Sequence, residues 1–243
     1  MLLHVPESGR NAYVISIPRD SYVPIPGHDD DKISTAFAKG GPRLLMQTVE
    51  QLTDIRLDHV AVLDFSGFKR MTDVLGGVRV RVSEDIVDPS NGWSWSAGEH
   101  DMDGEEALRF VRERKGLPGG DVDRGRRQQA FIRAMAEKAT SEGVLEDPVR
   151  LDGFLRSASE SMAVDDDVSM GTLRGLAQRL SEVGPERITF ASLPVAATDW
   201  VGPQNVVRLD ENRVEELFDA LRGGELGDHL SEQELENDVD EVN

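Results

Sequence analysis

Residues 14–33, which read VISIPRDSYVPIPGHDDDKI, hold the end of a predicted strand and the long loop that follows it. The β-branched residues at the start of this stretch are typical of a strand, and Pro18 ends that strand because proline has no amide hydrogen to donate. Arg19 and Asp20 follow at once, and a loop with two more prolines and three aspartates leads to Lys32. Arg19 and Asp20 side by side at a strand end, with Lys32 beyond the loop, are candidates for a binding site. An ion pair within the loop is the simpler alternative.

Length and composition limit the classes of protein to consider. The chain has 243 residues, which suits one domain plus a tail. It contains no apolar run of the roughly 18–20 residues that a membrane span needs, and its start does not resemble a signal peptide. The absence of cysteine excludes disulfides, thiol catalysis and thiolate metal sites. Export without disulfides and a cytoplasmic location both remain open.

Charge is unevenly distributed along the chain. The net charge of −19 argues against a broad nucleic-acid surface. Residues 224–243 carry eight acidic residues and no lysine or arginine, and this composition predicts a disordered tail. Eight cations fall within 25 positions, which predicts an anionic ligand there: Arg109, Arg112, Arg114, Lys115, Arg124, Arg126, Arg127 and Arg133.

Alternation of strand-like and helix-like segments predicts an α/β fold, a mixed central sheet with helices on both faces. Apolar alternation at 78–82 predicts a half-buried strand, residues 59–65 read as a buried strand, and residues 83–102 read as a loop. Gly41-Pro42 is typical of a helix start, Gly76-Gly77 of a helix end, and Asp103 of an N-cap. The remaining predictions are a hairpin of 1–5 and 12–17, helices at 124–140, 151–162, 170–183 and 211–222, and strands at 187–192 and 205–209.

Motifs for several common chemistries are missing from the sequence. There is no phosphate-binding loop of the Gly-x-x-x-x-Gly-Lys type, no Gly-x-Gly-x-x-Gly and no Gly-x-Ser-x-Gly. The five histidines lack the spacing of metal ligands. Residues 165–171, DDDVSMG, fail as a calcium loop because the twelfth position is Leu176.

Cations and carboxylates do recur at the ends of predicted elements, where binding sites in α/β folds tend to lie. Guanidinium groups suit diphosphate oxygens because each can donate two parallel hydrogen bonds. A neighbouring aspartate suits a divalent cation that bridges it to phosphate. Asp20 is the candidate ligand. Arg112 and Arg114 share a face only if the chain leaves the helix near Val111 and extends.

Each of these features also has a simpler interpretation. Residues 112–115 could be a solvated helix face, and the arginines at 124–127 could offset Asp121 and Asp123 in exposed pairs worth little. Trp93 and Trp95 could cover a sugar, although packing on the core is favoured.

Four segments taken together resemble the LytR-CpsA-Psr (LCP) family. They are residues 16–42 (SIPRDSYVPIPGHDDDKISTAFAKGGP), 59–82 (HVAVLDFSGFKRMTDVLGGVRVRV), 96–115 (SAGEHDMDGEEALRFVRERK) and 120–135 (GDVDRGRRQQAFIRAM). The resemblance runs from Met1 to about residue 140, and the elements at 187–222 are consistent with it. It implies a single LCP-type domain over 1–223, with an apolar pocket between sheet and helices.

The resemblance also implies a function, a phosphotransferase of the bacterial cell surface. Such enzymes move a glycopolymer from a polyprenyl-diphosphate carrier to peptidoglycan, with the lipid tail in the apolar pocket and Mg²⁺ (or Mn²⁺) as cofactor. They act at the extracytoplasmic face of the membrane and engage no nucleic acid. By matching motifs, catalysis falls to Asp20 and Arg19, metal binding to Asp20, diphosphate binding to Arg19, Lys32, Arg112, Arg114, Arg124, Arg127 and Gln128, and a supporting role to Asp121.

One family motif is not found in the chain. LCP proteins carry Arg-x-Asp-Thr at the head of the preceding strand, and here it would fall upstream of Met1. Either the start has been placed at an internal methionine, or the chain is a truncated form or the product of a decayed gene. If Met1 is the native start, little transferase activity and a cytoplasmic location are expected. Three other functions stay open: an inactive polyprenyl-diphosphate binder, a diphosphate hydrolase and, disfavoured by charge, a transcriptional regulator.

Overall fold

The fold is described from a computed structural model of the chain and covers residues 1–113, 121–144, 147–164 and 168–240. Helices and strands alternate along the sequence, so the α/β prediction is confirmed. The elements in chain order are β1 (Leu2–His4), β2 (Ala12–Ser16), β3 (Tyr22–Val23), β4 (Asp31–Lys32), α1 (Ile33–Thr53), β5 (Ala61–Leu63), α2 (Phe65–Val74), β6 (Val78–Val82), β7 (Ile86–Asp88), β8 (Trp93–Trp95), β9 (Gly98–Met102), α3 (Gly104–Arg112), α4 (Asp121–Ser141), α5 (Pro148–Ser161), β10 (Met162–Val164), α6 (Met170–Val183), β11 (Ile188–Ser192), β12 (Val195–Val201), β13 (Gln204–Leu209), α7 (Glu211–Gly223) and α8 (Leu226–Glu232).

Contacts divide the chain into two compact units. Unit 1 comprises residues 1–2, 15–60 and 191–236, and unit 2 comprises residues 3–14, 61–190 and 237–243. Strands β1, β2 and β11 form a three-stranded sheet in the order β1-β2-β11. The other described strands pair two by two, so the strands are more divided than the single central sheet that the sequence predicted. Across the described helices, none combines the length and the apolar character needed to cross a bilayer.

Unit 1 is built around helices α1, α7 and α8 and the hairpin β12-β13. Helix α1 breaks at Gly40 and Gly41, where Gly41 has φ +66°, and a second helical segment resumes at Pro42. The predicted helix start at Gly41-Pro42 is therefore confirmed, but the residues before it are helical as well. The guanidinium of Arg222 on α7 donates to the carbonyl of Thr53 at 2.8 Å, which ties α7 to the end of α1.

Unit 2 contains a large apolar core. The three valines of β6 point into it, while Arg79 and Arg81 face solvent, as the period-two pattern predicted. Trp95 is buried against the ring of Phe110 with 5.5 Å between ring centroids, and Trp93 packs on the same core. The interpretation of both tryptophans as core residues is confirmed.

Two sequence predictions in unit 2 are wrong. Residues 83–102 form strands β7, β8 and β9 rather than a loop, because β7 pairs with β8 around Asn91-Gly92 and β9 pairs with β6. Strand β5 is largely exposed rather than buried, since it pairs only with β10 in a two-stranded sheet. Three-residue strands are too short to give a clear periodic pattern.

The disordered tail predicted for residues 224–243 is also not observed in the part of it that is described, which ends at residue 240. Helix α8 buries Leu226 and Leu230, which lie four residues apart on one face. Further on, the side-chain amide of Asn237 donates to Oε1 of buried Gln129 at 2.7 Å, and Val239 is buried in unit 2. A few well-spaced apolar residues thus outweigh the acidic composition that suggested disorder.

The β7-β8 hairpin is closed by Asp88, which was not among the residues predicted from the sequence. The carboxylate of Asp88 accepts hydrogen bonds from the Ser90 hydroxyl, from the Asn91 side-chain amide at 2.6 Å and from the Ser90 amide at 2.8 Å. These bonds stabilise the charged form and lower the pKa of Asp88 to about 2, although burial opposes them.

Asp88 is expected to make stability depend on pH in acid. Because its pKa is about 2 in the folded state and about 3.9 in an unfolded chain, the unfolded state binds more protons between these values. Its contribution is therefore present above about pH 4 and lost as the pH falls toward 2. In urea titrations, Asp88→Asn should be less stable than the parent at pH 7 and show a flatter pH dependence from 4 to 2. The exposed Asp58→Asn serves as the control, and equal slopes for parent and Asp88→Asn would contradict the assignment.

Candidate functional site

Arg19 and Asp20 occupy the two central positions of a β-turn in unit 1. The Ser21 amide donates to the Pro18 carbonyl at 3.0 Å, and the Ser21 hydroxyl donates to the same oxygen at 2.7 Å. A turn closed by a bond from the fourth residue to the first holds its two middle residues at the tip. This explains why the strand ends with a cation and an anion side by side.

The backbone of this turn is anchored from two directions. Amides at the start of α1 donate to it, Ser34 to the Arg19 carbonyl at 3.1 Å and Ile33 to the Ser21 carbonyl at 2.7 Å. From the hairpin β12-β13, the amide of Val207 donates to the Asp20 carbonyl at 2.9 Å. The backbone carbonyls of Arg19, Asp20 and Ser21 thus each accept a hydrogen bond. These bonds hold in place the backbone that carries the Asp20 carboxylate.

The Asp20 carboxylate lies between two cations. Its Oδ1 is 3.4 Å from Nζ of Lys32 and 3.6 Å from Nε of Arg19. Asp20 and Lys32 are only partly exposed, at 29% and 21% of their side-chain surfaces, whereas Arg19 is 54% exposed. A loop ion pair alone remains compatible with these distances, but the arrangement leaves the Arg19 guanidinium accessible to an anion.

Tyr22 and Arg208 extend this cluster and were missed from the sequence. Tyr22 is paired with Lys32 across β3 and β4, and the guanidinium carbon of Arg208 lies 4.6 Å from the centroid of the Tyr22 ring. Arg208 also approaches Asp199 at 3.5 Å. The only hint in the sequence was that Arg208 sits in an apolar strand, which does not place it beside Tyr22.

In unit 2, helix α3 carries the first two arginines of the predicted cluster, Arg109 and Arg112, in its last turn. The helix starts at the predicted N-cap Asp103, whose carboxylate accepts from the Glu106 amide at 2.8 Å. It ends at Arg112, and Glu113 has the extended angles φ −59° and ψ +136°. The chain therefore leaves the helix directly after Arg112, close to the predicted exit near Val111. Arg114 itself lies outside the described residues.

The Arg112 side chain is exposed and lies against an aromatic ring. Its guanidinium carbon is 4.4 Å from the centroid of Phe65, the first residue of α2. Such a cation–π contact is worth about 0.5–1 kcal/mol at an exposed site and favours one orientation of the guanidinium. Phe65 is itself 58% exposed, and the sequence offered no signal that would pair it with Arg112.

Helix α4 carries the remaining predicted residues, and two of its arginines are buried. Arg124 is 9% exposed and Arg127 is fully buried, while Gln128 is half-buried. Nη1 of Arg127 donates to the Glu113 carbonyl at 3.4 Å. Asp121 begins α4, but its side chain is outside the described part of the chain. The simple interpretation of the arginines at 124–127 as exposed partners of nearby acids does not fit Arg124 and Arg127, which are buried, whereas Arg126 is exposed.

Comparison with known proteins assigns the chain to a family. A model of the LytR_cpsA_psr family matches residues 1–223. The chain is a member of that family. It is 37% identical over 222 residues to the Probable cell wall biosynthesis protein LcpB of Corynebacterium glutamicum, which covers 91% of this chain and 52% of LcpB. The predicted LCP resemblance is thereby confirmed.

Other LCP relatives carry transferase names. The polyisoprenyl-teichoic acid–peptidoglycan teichoic acid transferase TagT of Bacillus subtilis is 41% identical over 138 residues, covering 54% of this chain and 42% of TagT. A solved structure of TagT bound to LI-WTA matches with a TM-score of 0.73 and 26% identity, covering 93% of this chain and 83% of that one. The chain spans about half the length of the curated relatives it matches.

The donor groups of this LCP chain are compatible with a divalent cation that the substrate helps to bind. Within the described ranges, no group of three or more acidic or histidine side chains is arranged to hold a metal ion. Mg²⁺ does not require one, because it is often held by one or two carboxylates plus substrate phosphate oxygens and water. The single carboxylate of Asp20, partly exposed and rigidly supported, fits such a shared site.

Proposed function

We propose that this chain is the catalytic part of a phosphotransferase that moves a glycopolymer from a polyprenyl-diphosphate carrier to peptidoglycan, at the extracytoplasmic face of the membrane. The observation that carries the proposal is the turn that presents Arg19 and Asp20 beside Lys32 in a chain of the LCP family. The name of TagT and its complex with LI-WTA support the same class of substrate.

The cations suit the diphosphate of such a donor. Arg19 and Arg112 both expose a guanidinium that can donate two parallel hydrogen bonds to phosphate oxygens. Lys32 contributes a third positive charge as a compact ammonium. We propose that Arg19 and Lys32 of unit 1 bind the donor diphosphate and that Asp20 holds the metal ion. Arg112 of unit 2 is proposed as a donor ligand because it matches the family motif.

An apolar surface beside Arg112 suits the lipid. Phe65 and Leu63 are 58% and 40% exposed and lie two residues apart in the sequence, at the start of α2 and the end of β5. Because the guanidinium of Arg112 lies on Phe65, a donor whose phosphate binds Arg112 would bring its first isoprene units to this surface. These two residues are therefore proposed as contacts for the carrier lipid.

The reaction that fits these groups is displacement at phosphorus. An acceptor hydroxyl oxygen forms a bond to the phosphorus next to the sugar, the bridging P–O bond breaks, and polyprenyl phosphate leaves. The hydroxyl proton passes to solvent or to a base outside the groups described here. Arg19, Arg112 and Lys32 position the donor and neutralise the charge that develops on phosphate oxygens. Bound Mg²⁺ or Mn²⁺ would add further charge neutralisation.

Asp20→Asn is expected to raise the Mg²⁺ concentration needed for half-maximal transfer by at least about 10-fold, since removing even an outer partner of a metal site has effects of that size. Asp30→Asn is the control, since it makes the same change at an exposed aspartate in the following loop. It should leave the Mg²⁺ requirement unchanged. An identical Mg²⁺ requirement for parent and Asp20→Asn would remove Asp20 as the ligand.

Product analysis separates the proposed function from its alternatives. The chain is incubated with a synthetic polyprenyl-diphosphate glycan and Mg²⁺, with and without peptidoglycan, and polyprenyl phosphate is measured. Release that requires the acceptor supports the transferase. Release without acceptor identifies a hydrolase, and donor binding without release identifies a binding module; either result would contradict the proposal.

A further inference from the structure

Arg127 on α4 is a fully buried arginine, which is an uncommon and costly arrangement. Its exposed fraction is 0%, and it is among the largest completely buried side chains of the described chain. Removing a guanidinium from water costs several kcal/mol unless surrounding groups compensate, so the contacts it makes identify the part of the fold that depends on it.

Two contacts of Arg127 lie on either side of Arg112. Its Nη1 donates to the carbonyl of Glu113 at 3.4 Å, and its guanidinium carbon lies 5.1 Å from the centroid of the buried Phe110 ring. Arg127 thus binds the last turn of α3 and the first residue beyond it. Both partners belong to unit 2, as does Arg112.

A cation at the C-terminal end of α3 is expected to stabilise that helix end. The last four carbonyls of a helix have no partner within the helix, and a positive charge there is favourable. Glu113 is 1% exposed and therefore buried, while the exposed Arg112 lies against the ring of Phe65. Because Glu113 directly follows Arg112, holding the Glu113 carbonyl constrains the backbone that carries the Arg112 side chain.

We propose that Arg127 is a positioning residue that orients Arg112 toward the donor and does not itself bind the diphosphate. This inference rests on the proposed function, since it takes Arg112 to be a diphosphate ligand. A guanidinium without exposed surface cannot donate to a phosphate that arrives from solvent, and the observed bond to the Glu113 carbonyl gives it another role. The motif-based assignment of Arg127 as a diphosphate ligand is replaced by this one.

A double-mutant cycle between Arg127 and Arg112 tests the proposal. Donor affinity is measured by titration of a short-chain polyprenyl-diphosphate glycan into the parent, Arg127→Ala, Arg112→Ala and the double variant. Arg127→Ala should weaken binding about 10-fold in the parent but less than about 2-fold in the Arg112→Ala background, because residues that act through one another are not additive. Arg127→Lys, which keeps a cation able to bond the carbonyl, should recover part of the affinity.

Matched controls make the outcome decisive. Arg126→Ala removes the neighbouring exposed arginine and should change affinity less than about 2-fold. Thermal melting checks folding, and Arg127→Lys replaces Arg127→Ala in the cycle if the alanine variant does not fold.

The possible failures are distinct. An undiminished effect of Arg127 in the Arg112→Ala background would show direct binding and overturn the inference, as would no effect in the parent. A lack of effect of Arg112→Ala itself would instead contradict the proposed function.

Discussion

Arg112→Ala is expected to weaken binding of a polyprenyl-diphosphate glycan by on the order of 1.5–3 kcal/mol, or about 10- to 150-fold. The loss is large because a charge-assisted, two-pronged contact to phosphate disappears and no neighbouring group replaces it in the same orientation. Phe65 holds the guanidinium in place before the donor arrives, which lowers the cost of ordering it on binding.

Arg109→Ala is the matched control for Arg112→Ala. Arg109 lies one turn earlier on α3, is exposed, and approaches Glu105 at 3.5 Å. Both changes remove one positive charge from the same helix, so a difference between them reports position and not net charge. Arg112→Lys should give an intermediate affinity, because lysine keeps the charge but loses the planar fork. Equal affinities for the parent and Arg112→Ala would exclude Arg112 from the site.

Gly104→Ala should lower the free energy of unfolding by about 1–3 kcal/mol, the usual cost of overpacking. Gly104 is the first residue of α3 and lies against the backbone of α2. An added Cβ would stand 2.7 Å from Cα of Lys69 and closer still to the Lys69 carbonyl oxygen, so backbone would have to move. The Gly104 amide also donates to Oδ1 of Asp73 at 2.8 Å, which holds it there.

Gly153→Ala is the control for Gly104→Ala. Gly153 is helical and exposed on α5, and an added Cβ would meet nothing within 4 Å. Alanine should stabilise that position by about 0.5–1 kcal/mol, so the two glycines are expected to respond in opposite directions. Urea unfolding measures both. A Gly104→Ala variant as stable as the parent would show that α2 and α3 are less closely packed than described.

Local signals in the sequence predicted much of the fold. The valines of β6 and the N-cap at Asp103 depend on neighbours within a few residues, so they could be read directly. The hairpin β7-β8 could have been found from Asn91-Gly92, which is a strong turn signal between short strands. Helix α8 was missed because its composition is acidic, although Leu226 and Leu230 share a face.

The site was only partly predictable. Arg19 and Asp20 were recognised because Pro18 ends the strand beside them, and the turn between Pro18 and Ser21 explains their placement. The burial of Arg127 and the stacking of Arg112 on Phe65 depend on side chains distant in sequence, which no local pattern encodes.

The central claim is that this chain binds a polyprenyl diphosphate through Arg19 and Arg112 with a metal ion held by Asp20. Calorimetric titration of a short-chain polyprenyl-diphosphate glycan, with and without Mg²⁺, tests it most directly. The account predicts binding that strengthens with Mg²⁺ in the parent, weakens in Arg19→Ala and Arg112→Ala, and no longer responds to Mg²⁺ in Asp20→Asn. An affinity that is the same in all four proteins and indifferent to Mg²⁺ would contradict it.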